Sequence, residues 1–220
     1  MTEETIDEKQ DDPDRKTLMT VATFIEGGLV VLGMLIGGLL GINPFSLMIW
    51  DEQSTVVGVL ATLPLLATFA VSYACPLQSF QQIKEFLIST FGPWLLVCRW
   101  YDLIILAALA GFCEEFLFRG VLQPWLVSLC GPWYGILIVC AIFGVCHMIT
   151  PTYALLAAGA SAYLSWLTIY DGPTNLVPAI ISHAVYDWIA FLIILKAARK
   201  RMVEDRIDDA TAEVDVQVGC

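Results

Sequence analysis

This 220-residue chain has few charged residues and no CxxC cysteine pair. Charged residues make up only 15% of it, against 58% hydrophobic ones, and the mean hydropathy is +0.73. Soluble domains carry about a quarter charged residues, so this composition is typical of a polytopic membrane protein. The seven cysteines are odd in number and form no CxxC pair, which predicts buried apolar cysteines without a disulfide framework.

Positive charge is also scarce, and the net charge of -11 comes mainly from the two ends of the chain. Seven acids lie in residues 1–14 and six in residues 204–215. Because acidic segments repel phosphate, no nucleic-acid partner is expected. The composition predicts a disordered acidic tail at 1–17, a transmembrane domain at 18–196 and a charged, disordered tail at 197–220.

Apolar runs of about 20 residues, enough to cross a bilayer, recur along the chain. They predict an all-α polytopic membrane helix bundle with about six transmembrane spans and one interfacial helix. The predicted spans are 18–42, 55–74, 101–129, 133–148, 153–170 and 176–195, and the interfacial helix falls in 75–93. In the first span Gly33, Gly37 and Gly41 repeat every four residues, which predicts close helix packing. Glu26 of the same span is assigned no role.

The few basic residues outside the spans fall on one side of this arrangement. With six spans, the N-terminal segment, residues 75–100 and the C-terminal segment hold every Lys and Arg except Arg119. The loops at 43–54, 129–132 and 171–175 hold none. Since cytoplasmic segments are enriched in Lys and Arg, we expect a multi-pass integral membrane protein with both termini cytoplasmic, in the inner membrane if the source is bacterial.

Three ionisable side chains interrupt the third apolar run: Glu114, Glu115 and Arg119. Charges inside a span are costly, so they indicate a functional site that faces other helices or a water-filled cavity. Glu115 and Arg119 are four residues apart with Glu first, the better order for a helical ion pair, whereas Glu114 is rotated by about 100°. We expect Arg119 to hold Glu115 and leave Glu114 free for chemistry. The alternative is a purely structural ion cluster.

Only two histidines are present, and both fall in predicted spans. His147 follows Phe143 by four residues, and His183 precedes Asp187 by four, so each pair shares a helix face. Hydrolysis by water needs a base, a partner that orients the water and groups that stabilise the oxyanion. Together with the acidic pair of the third span, these side chains supply such a set.

The same side chains leave a metal site open as an alternative. Two Glu, two His and an Asp suit Zn²⁺, but no HExxH or other close ligand pair is present. A metal would be assembled from three helices, with Glu114, His147 and His183 as ligands. Hydrolysis through a carboxylate-activated water requires no cofactor, so zinc is the alternative to a metal-free site.

Helix geometry places the chemistry deep in the predicted bundle. Glu114 and His183 lie roughly 18–21 Å from the cytoplasmic ends of their predicted helices, by rise per residue. His147 lies within one turn of the end of its own helix. These positions agree if the turn at Thr150 and Pro151 is sunk into the bundle, so we expect a polar funnel open to the cytoplasm.

The ordered set EExxxR, FxxxH and HxxxN/D resembles that of the CPBP family of intramembrane proteases, which includes the type II CAAX prenyl endopeptidases and the Abi bacteriocin-immunity proteins. Here the motifs read EEFLFR at 114–119, FGVCH at 143–147 and HAVYD at 183–187, within a matching region of about 101–195. The resemblance implies an endopeptidase in which Glu114 activates water and His147 helps to hold it. It also implies that His183, with the residue at 187, stabilises the oxyanion.

The same resemblance gives Glu115 and Arg119 a supporting role and makes Phe143 a packing residue. Asp187 stands where the prenyl-protein endopeptidases tend to have Asn, and an ionised Asp accepts hydrogen bonds but cannot donate them. Asp187 is therefore expected to be protonated or to orient His183.

The expected substrate is a membrane-associated protein or peptide, lipidated or not, in contact with the lipid bilayer. One rival hypothesis is a non-catalytic immunity or scaffold protein. Another is an ion transporter, which the short chain and the lack of an inverted repeat disfavour.

Overall fold

The computed structural model describes residues 14–218, which are helical almost throughout and contain no strand. The all-α prediction is therefore confirmed, while most of the predicted N-terminal tail lies outside the described residues. The helices are α1 Arg15–Leu40, α2 Glu52–Leu60, α3 Thr62–Ala74, α4 Gln78–Phe86, α5 Gly92–Leu96, α6 Trp100–Leu117, α7 Gln123–Cys146, α8 Pro151–Leu167 and α9 Val177–Val218. Two π-helical turns, Leu87–Phe91 and Phe118–Leu122, join α4 to α5 and α6 to α7.

Polar residues at the helix starts explain several of these boundaries. The side chain of Asp14 accepts a hydrogen bond from the backbone N–H of Thr17, and Asp51 accepts one from Ser54. Thr150 caps α8 in the same way, and proline follows it at the first helical position. Each cap satisfies a backbone donor that the first turn of a helix leaves unpaired. Helix α1 accordingly begins at Arg15 rather than at the predicted residue 18.

Four stretches of the described chain are long and apolar enough to cross a membrane: Arg15–Leu40, Glu52–Ala74, Trp100–Cys146 and Val177–Asp208. The chain is therefore a helical membrane protein, as its composition predicts. These stretches overlap five of the six predicted spans, because the 47-residue stretch Trp100–Cys146 covers two of them and is interrupted by non-helical backbone at Gly131 within α7. Helix α8, at the predicted fifth span, has 17 residues and is not among the four.

The chain reverses at Gly131 and Pro132, where the sequence predicts a turn. Gly131 has φ 83° and ψ 168°, a conformation that favours glycine. A Cβ added to Gly135 would lie 2.5 Å from the backbone nitrogen of Val127, so the helical segments before and after the turn are in direct contact. The predicted third and fourth spans are thus separate helices that share one reversal.

Helix α1 runs parallel to α6. Arg15 forms a bidentate ion pair with Asp102 in the first turn of both helices, with both N–O distances at 2.6 Å. Farther along, a Cβ added to Gly33 would lie 3.0 Å from the ring of Phe116. Residue numbers rise along both helices from the first contact to the second, so the helices are parallel. The middle of α1 therefore lies beside the part of α6 that precedes Glu114 and Glu115.

Two of the three glycines spaced four apart in α1 make close contacts. Gly33 packs against Phe116, and a Cβ added to Gly37 would meet Val121 at 3.6 Å. Gly41 instead caps the helix in the left-handed conformation, with φ 69°. Close packing is confirmed for Gly33 and Gly37, and the prediction is wrong for Gly41.

Helix α9 runs antiparallel to α6 and sets the position of the site. Leu103 of α6 packs with Leu195 of α9, and Gly111 approaches Ala184 so closely that a Cβ would lie 2.7 Å from its backbone nitrogen. Such an approach is open only to a residue without a side chain. The crossing brings the start of α9 against the end of α6.

The disorder predicted for 197–220 is contradicted as far as residue 218, because α9 continues to Val218. Lys200 and Glu204 form an ion pair one turn apart. Arg201 makes two hydrogen bonds, of 2.6 and 3.0 Å, to Glu85 of α4, and this contact holds the pKa of Glu85 below its usual value. Helix α4 itself lies in the segment predicted to form the interfacial helix.

Candidate active site

The three motif segments meet at one place in the bundle. Glu114 and Glu115 lie in the last turn of α6, His147 directly follows α7, and His183 lies in the second turn of α9. The close crossing of α6 and α9 places the acidic pair opposite His183. All four of these predicted residues are therefore neighbours, although they come from three separate parts of the chain.

Glu115 and Arg119 form the predicted ion pair, and both side chains are fully buried. Glu115 Oε1 accepts hydrogen bonds from Arg119 Nη1 at 2.8 Å and from His183 Nδ1 at 2.9 Å. Arg119 Nη2 also donates to the carbonyl oxygen and the hydroxyl of Ser161 on α8, at 3.0 and 2.8 Å. This network joins three helices and compensates two buried charges, which are costly when unpaired.

A π-helical turn at Phe118–Leu122 carries Arg119, and sequence reasoning missed it. Such turns often mark functional sites, since an extra residue in the turn redirects the side chains that follow. Gly120 lies in the same turn, and a Cβ there would come 2.8 Å from Cβ of Pro44. The glycine after the arginine thus permits a loop to pack against the turn.

Phe143 lies between two functional groups, in agreement with the packing role predicted for it. Its ring stacks on His147, with centroids 4.3 Å apart and planes 21° apart. The guanidinium carbon of Arg119 lies 4.8 Å from the centroid of the same ring. Aromatic and cation–π contacts of this kind restrict the orientation of both partners. The ring therefore fixes His147 relative to the buried ion pair.

Glu114 has surroundings unlike those of its neighbour Glu115. Its Oε2 has no hydrogen-bond partner in the described chain, although the atom itself is buried. That oxygen lies 3.8 Å from His147 Nε2 and 3.9 Å from His183 Nε2. Nδ1 of His147 lies 2.9 Å from the carbonyl oxygen of Phe143, so the neutral ring carries its proton there and turns a lone pair toward Glu114. One carboxylate is thus open, with two imidazole nitrogens facing it.

His183 connects the buried ion pair to the open part of the site. Its Nδ1 bonds to Glu115, while its Nε2 faces Glu114 and lies 3.5 Å from Oδ2 of Asp187. The predicted pair of His183 and Asp187, one turn apart on α9, is therefore present as a contact. Asp187 is 19% exposed, against 9% for the His183 side chain. Asp187 thus lies toward the outer part of the site.

Glu26 is a further acid near the site, and the sequence left it without a role. The parallel packing of α1 on α6 places it level with the turn before Glu114. Its Oε2 is buried without a hydrogen-bond partner among the groups that the structure describes. Its carboxylate interacts electrostatically with Glu114, His183 and Asp187. The available signal was a charge inside an apolar span, which is expected to face a site.

A cavity of about 770 Å³ adjoins the site. His147, His183 and Asp187 line one part of it, and most of the remaining lining is apolar. Its walls come from α3, α4, α8 and α9 and from the turn after α7. The expected sunken turn does line a cavity, but the prediction of a polar funnel is wrong. Apolar side chains dominate because α8 and the middle of α9 add mainly aliphatic and aromatic residues to the lining, beside Leu65 and Phe69 of α3.

The proposed zinc ligands do not fit a metal as they are placed. Around a tetrahedral zinc with bonds of about 2.0–2.1 Å, neighbouring ligand atoms are about 3.3 Å apart. Glu114 Oε2 lies 3.8 and 3.9 Å from the nitrogens of His147 and His183. Within the described range, no group of three His, Cys, Asp or Glu side chains has the arrangement of a metal site.

Comparison with known families agrees with the motifs. Residues 94–189 match the family model described as type II CAAX prenyl endopeptidase Rce1-like, a stretch that contains all three motifs. No curated protein and no solved structure matches the chain. The matched stretch begins in α5 and ends in α9, so α1 to α4 lie outside it. Residues 94–189 of this helical membrane protein form a domain of the CPBP/CAAX protease family.

Proposed function

We propose that the protein is an intramembrane endopeptidase that hydrolyses a peptide bond of a membrane-associated substrate, lipidated or not, with water activated by Glu114. The observation that carries the proposal is the open carboxylate of Glu114, which lies 3.8 and 3.9 Å from two imidazole nitrogens. The matched family is one of peptidases, which supports hydrolysis of a peptide bond. No metal is required by this chemistry.

The spacing around Glu114 suits a water molecule. Glu114 Oε2 lies 3.8 Å from Nε2 of His147 and 3.9 Å from Nε2 of His183, and both distances are too long for a direct hydrogen bond. One water between Glu114 and His147 can bond to both residues at about 2.8 Å. Glu114 takes a proton from this water as its oxygen attacks the carbonyl carbon of the scissile bond. His147, fixed by the carbonyl of Phe143, accepts the second hydrogen of the water at Nε2.

His183 is placed to stabilise the oxyanion that forms. With protons on both nitrogens, the ring donates through Nδ1 to Glu115 and through Nε2 to the developing oxyanion. Asp187 lies beside Nε2 and orients the ring. When the carbon–nitrogen bond breaks, Glu114 passes its proton to the leaving amine. The products are one carboxylic acid and one amine, so the water is fully accounted for.

We also propose that the chain is multi-pass with both termini cytoplasmic. The pairs of Arg15 with Asp102 and of Arg201 with Glu85 lie at the same end of the bundle, because α1 and α6 begin there and the apolar part of α9 ends there. A cluster of basic residues at one end is typical of the cytoplasmic face. The cavity reaches toward this end, so substrate enters from the cytoplasmic side.

The test is cleavage of lipidated and non-lipidated peptide libraries by the purified protein in detergent, read by mass spectrometry. We expect Glu114→Gln to lower the rate by about 10²–10⁴, the usual contribution of a general base. Glu52→Gln is the matched control, since this acid is exposed at the start of α2. A metal chelator is expected to leave the rate unchanged.

Two results would contradict the proposal. Full activity of Glu114→Gln would remove the glutamate mechanism. Loss of activity with chelator, restored by Zn²⁺, would show a metalloprotease. If the wild type cleaves no peptide while its variants still bind a membrane partner, the immunity or scaffold hypothesis replaces the proteolytic one.

A further inference from the structure

Lys84 of α4 is a cation whose position the proposed chemistry does not explain. It is half-buried and lines the apolar cavity, where it is the one Lys or Arg side chain among the lining residues that the structure describes. Its ammonium lies 4.3 Å from the centroid of the Tyr73 ring. The next residue, Glu85, is engaged by Arg201. Lys84 forms no ion pair with any side chain that the structure describes, so it places a positive charge at the edge of the cavity.

An aromatic wall connects this cation to the neighbourhood of the site. The ring of Tyr186, next to Asp187 in the chain, lies 6.1 Å from that of Phe69, and Phe69 stacks on Tyr73 at 5.7 Å. Lys84 lies over the ring of Tyr73, which ends the series. The cavity thus has an anion-attracting end at Lys84 and a long apolar body between that end and the histidines.

The lining favours a hydrocarbon chain over a peptide strand as the occupant of the apolar body. A peptide brings backbone N–H and C=O groups that must find partners away from water. The walls are mainly helices, whose backbone groups are largely paired within the helix, so a peptide would depend on side chains. The lining has six hydroxyls, and two of them are already used, since Thr68 donates to the carbonyl of Pro64 and Tyr163 donates to that of Ala61. A methylene chain makes no such demand, and 770 Å³ lies within the usual range for a small-molecule site.

The position of α4 in the bundle also fits a lipid. Its contact with Arg201 places it at the basic end, where Arg15 also lies, and that end is at the level of lipid head groups if it is cytoplasmic. Basic side chains at this level attract anionic head groups. Tyr73 makes no hydrogen bond with the described residues and also lines the cavity, so its hydroxyl can donate to a phosphate oxygen.

We propose that the cavity is a binding site for an anionic membrane lipid, whose phosphate is held by Lys84 and whose acyl chain lies along the aromatic wall toward the histidines. The site is independent of whether the protein cleaves peptides. If it does, the lipid occupies space beside the histidines and competes with the substrate. Anionic lipid then lowers the rate of cleavage at constant substrate.

The test is native mass spectrometry of the purified full-length protein with phosphatidylglycerol or phosphatidylcholine of matched chains. We expect wild type to prefer the anionic lipid and Lys84→Met to reduce that preference about fivefold, the factor for one cation at about 1 kcal/mol. Lys84→Arg keeps the charge and is expected to keep the preference. Lys196→Met is the matched control, because this lysine is exposed near the same end but does not line the cavity.

Equal losses in Lys84→Met and Lys196→Met would overturn the proposal, because the preference would then come from general surface charge. No preference in the wild type would overturn it as well. A second arm of the experiment adds a peptide acid or the corresponding amide to the lipid-bound protein. If the acid displaces the lipid, the amide does not, and this difference is lost in Lys84→Met, then Lys84 binds a peptide carboxylate instead of a lipid phosphate. Unchanged melting temperatures would show that the variants are folded.

Discussion

Replacing Arg119 by alanine is the most direct test of the buried network behind the site. The substitution removes a fully buried guanidinium that bonds to Glu115 and to Ser161 and covers the ring of Phe143. Glu115 then keeps one hydrogen-bond partner, His183, for a carboxylate with no exposure to solvent. The variant therefore leaves an undercompensated buried charge beside a newly formed void.

The magnitude follows from this burial. Removing one partner of a buried ion pair costs about 3–5 kcal/mol. For chains of 150–250 residues each kcal/mol lowers the melting temperature by about 2–4 °C, so Arg119→Ala is expected to lower it by about 6–20 °C. Arg119→Lys restores the charge but not the forked geometry that reaches Glu115 and Ser161 together, so an intermediate loss is expected.

The assay is thermal unfolding of purified variants in one detergent, followed by tryptophan fluorescence and by size-exclusion profile. Arg201→Ala is the control, because its pair with Glu85 is exposed, and exposed pairs contribute much less to stability than buried ones. A melting temperature for Arg119→Ala within about 2 °C of the wild type would refute the reasoning. The network would then not bear on stability, and Glu115 would have to be neutral or hydrated.

Three further outcomes are expected. Asp187→Asn is expected to keep cleavage within about tenfold of wild type, since an amide can donate to the oxyanion; abolished cleavage would show that the carboxylate itself is needed. Gly111→Leu is expected to give little monodisperse protein, because its Cβ would meet the backbone of Ala184 at 2.7 Å, while Gly159→Leu, with open space, is tolerated; equal yields would contradict the packing. The hydrogen bond from α9 lowers the pKa of Glu85, so the stability that Glu85→Gln removes should be present at neutral pH and lost as pH falls below about 4.3, in thermal unfolding at several pH values. A pH-independent difference would contradict this assignment.

Local spacing explains which parts of the site the sequence could predict. The pairs Glu115–Arg119 and His183–Asp187 are each one helical turn apart, so the period of the helix alone brings their side chains together. Their contacts of 2.8 and 3.5 Å follow from that period. The approach of Glu114 to the histidines depends on how helices cross, which no spacing along the chain encodes.

For the C-terminal segment and the cavity, the sequence signal predicted the wrong outcome, and the π-helical turn had almost no signal. Residues 197–220 were expected to be disordered because they are charged, yet Lys, Arg, Glu, Met and Ala are strong helix formers, and α9 continues to Val218. The cavity was expected to be polar because the motif residues are polar, but the side chains that α3, α8 and α9 add around them are mainly apolar. The π-turn at Phe118–Leu122 had no sequence signal beyond Gly120, which a continuous helix would also tolerate.

The adjacent acids Glu114 and Glu115 show how one helix turn can serve two purposes. A rotation of about 100° per residue directs the second carboxylate to Arg119 and His183, with no exposure to solvent. The same rotation leaves the first carboxylate 13% exposed and without a hydrogen-bond partner in the described chain. The pairing of Glu115 rigidifies His183, and His183 in turn faces Glu114. The imidazole of His183 therefore links the buried charge pair to the open carboxylate, and the proposed hydrolysis gives each glutamate a different role: Glu115 holds the imidazole and Glu114 activates water.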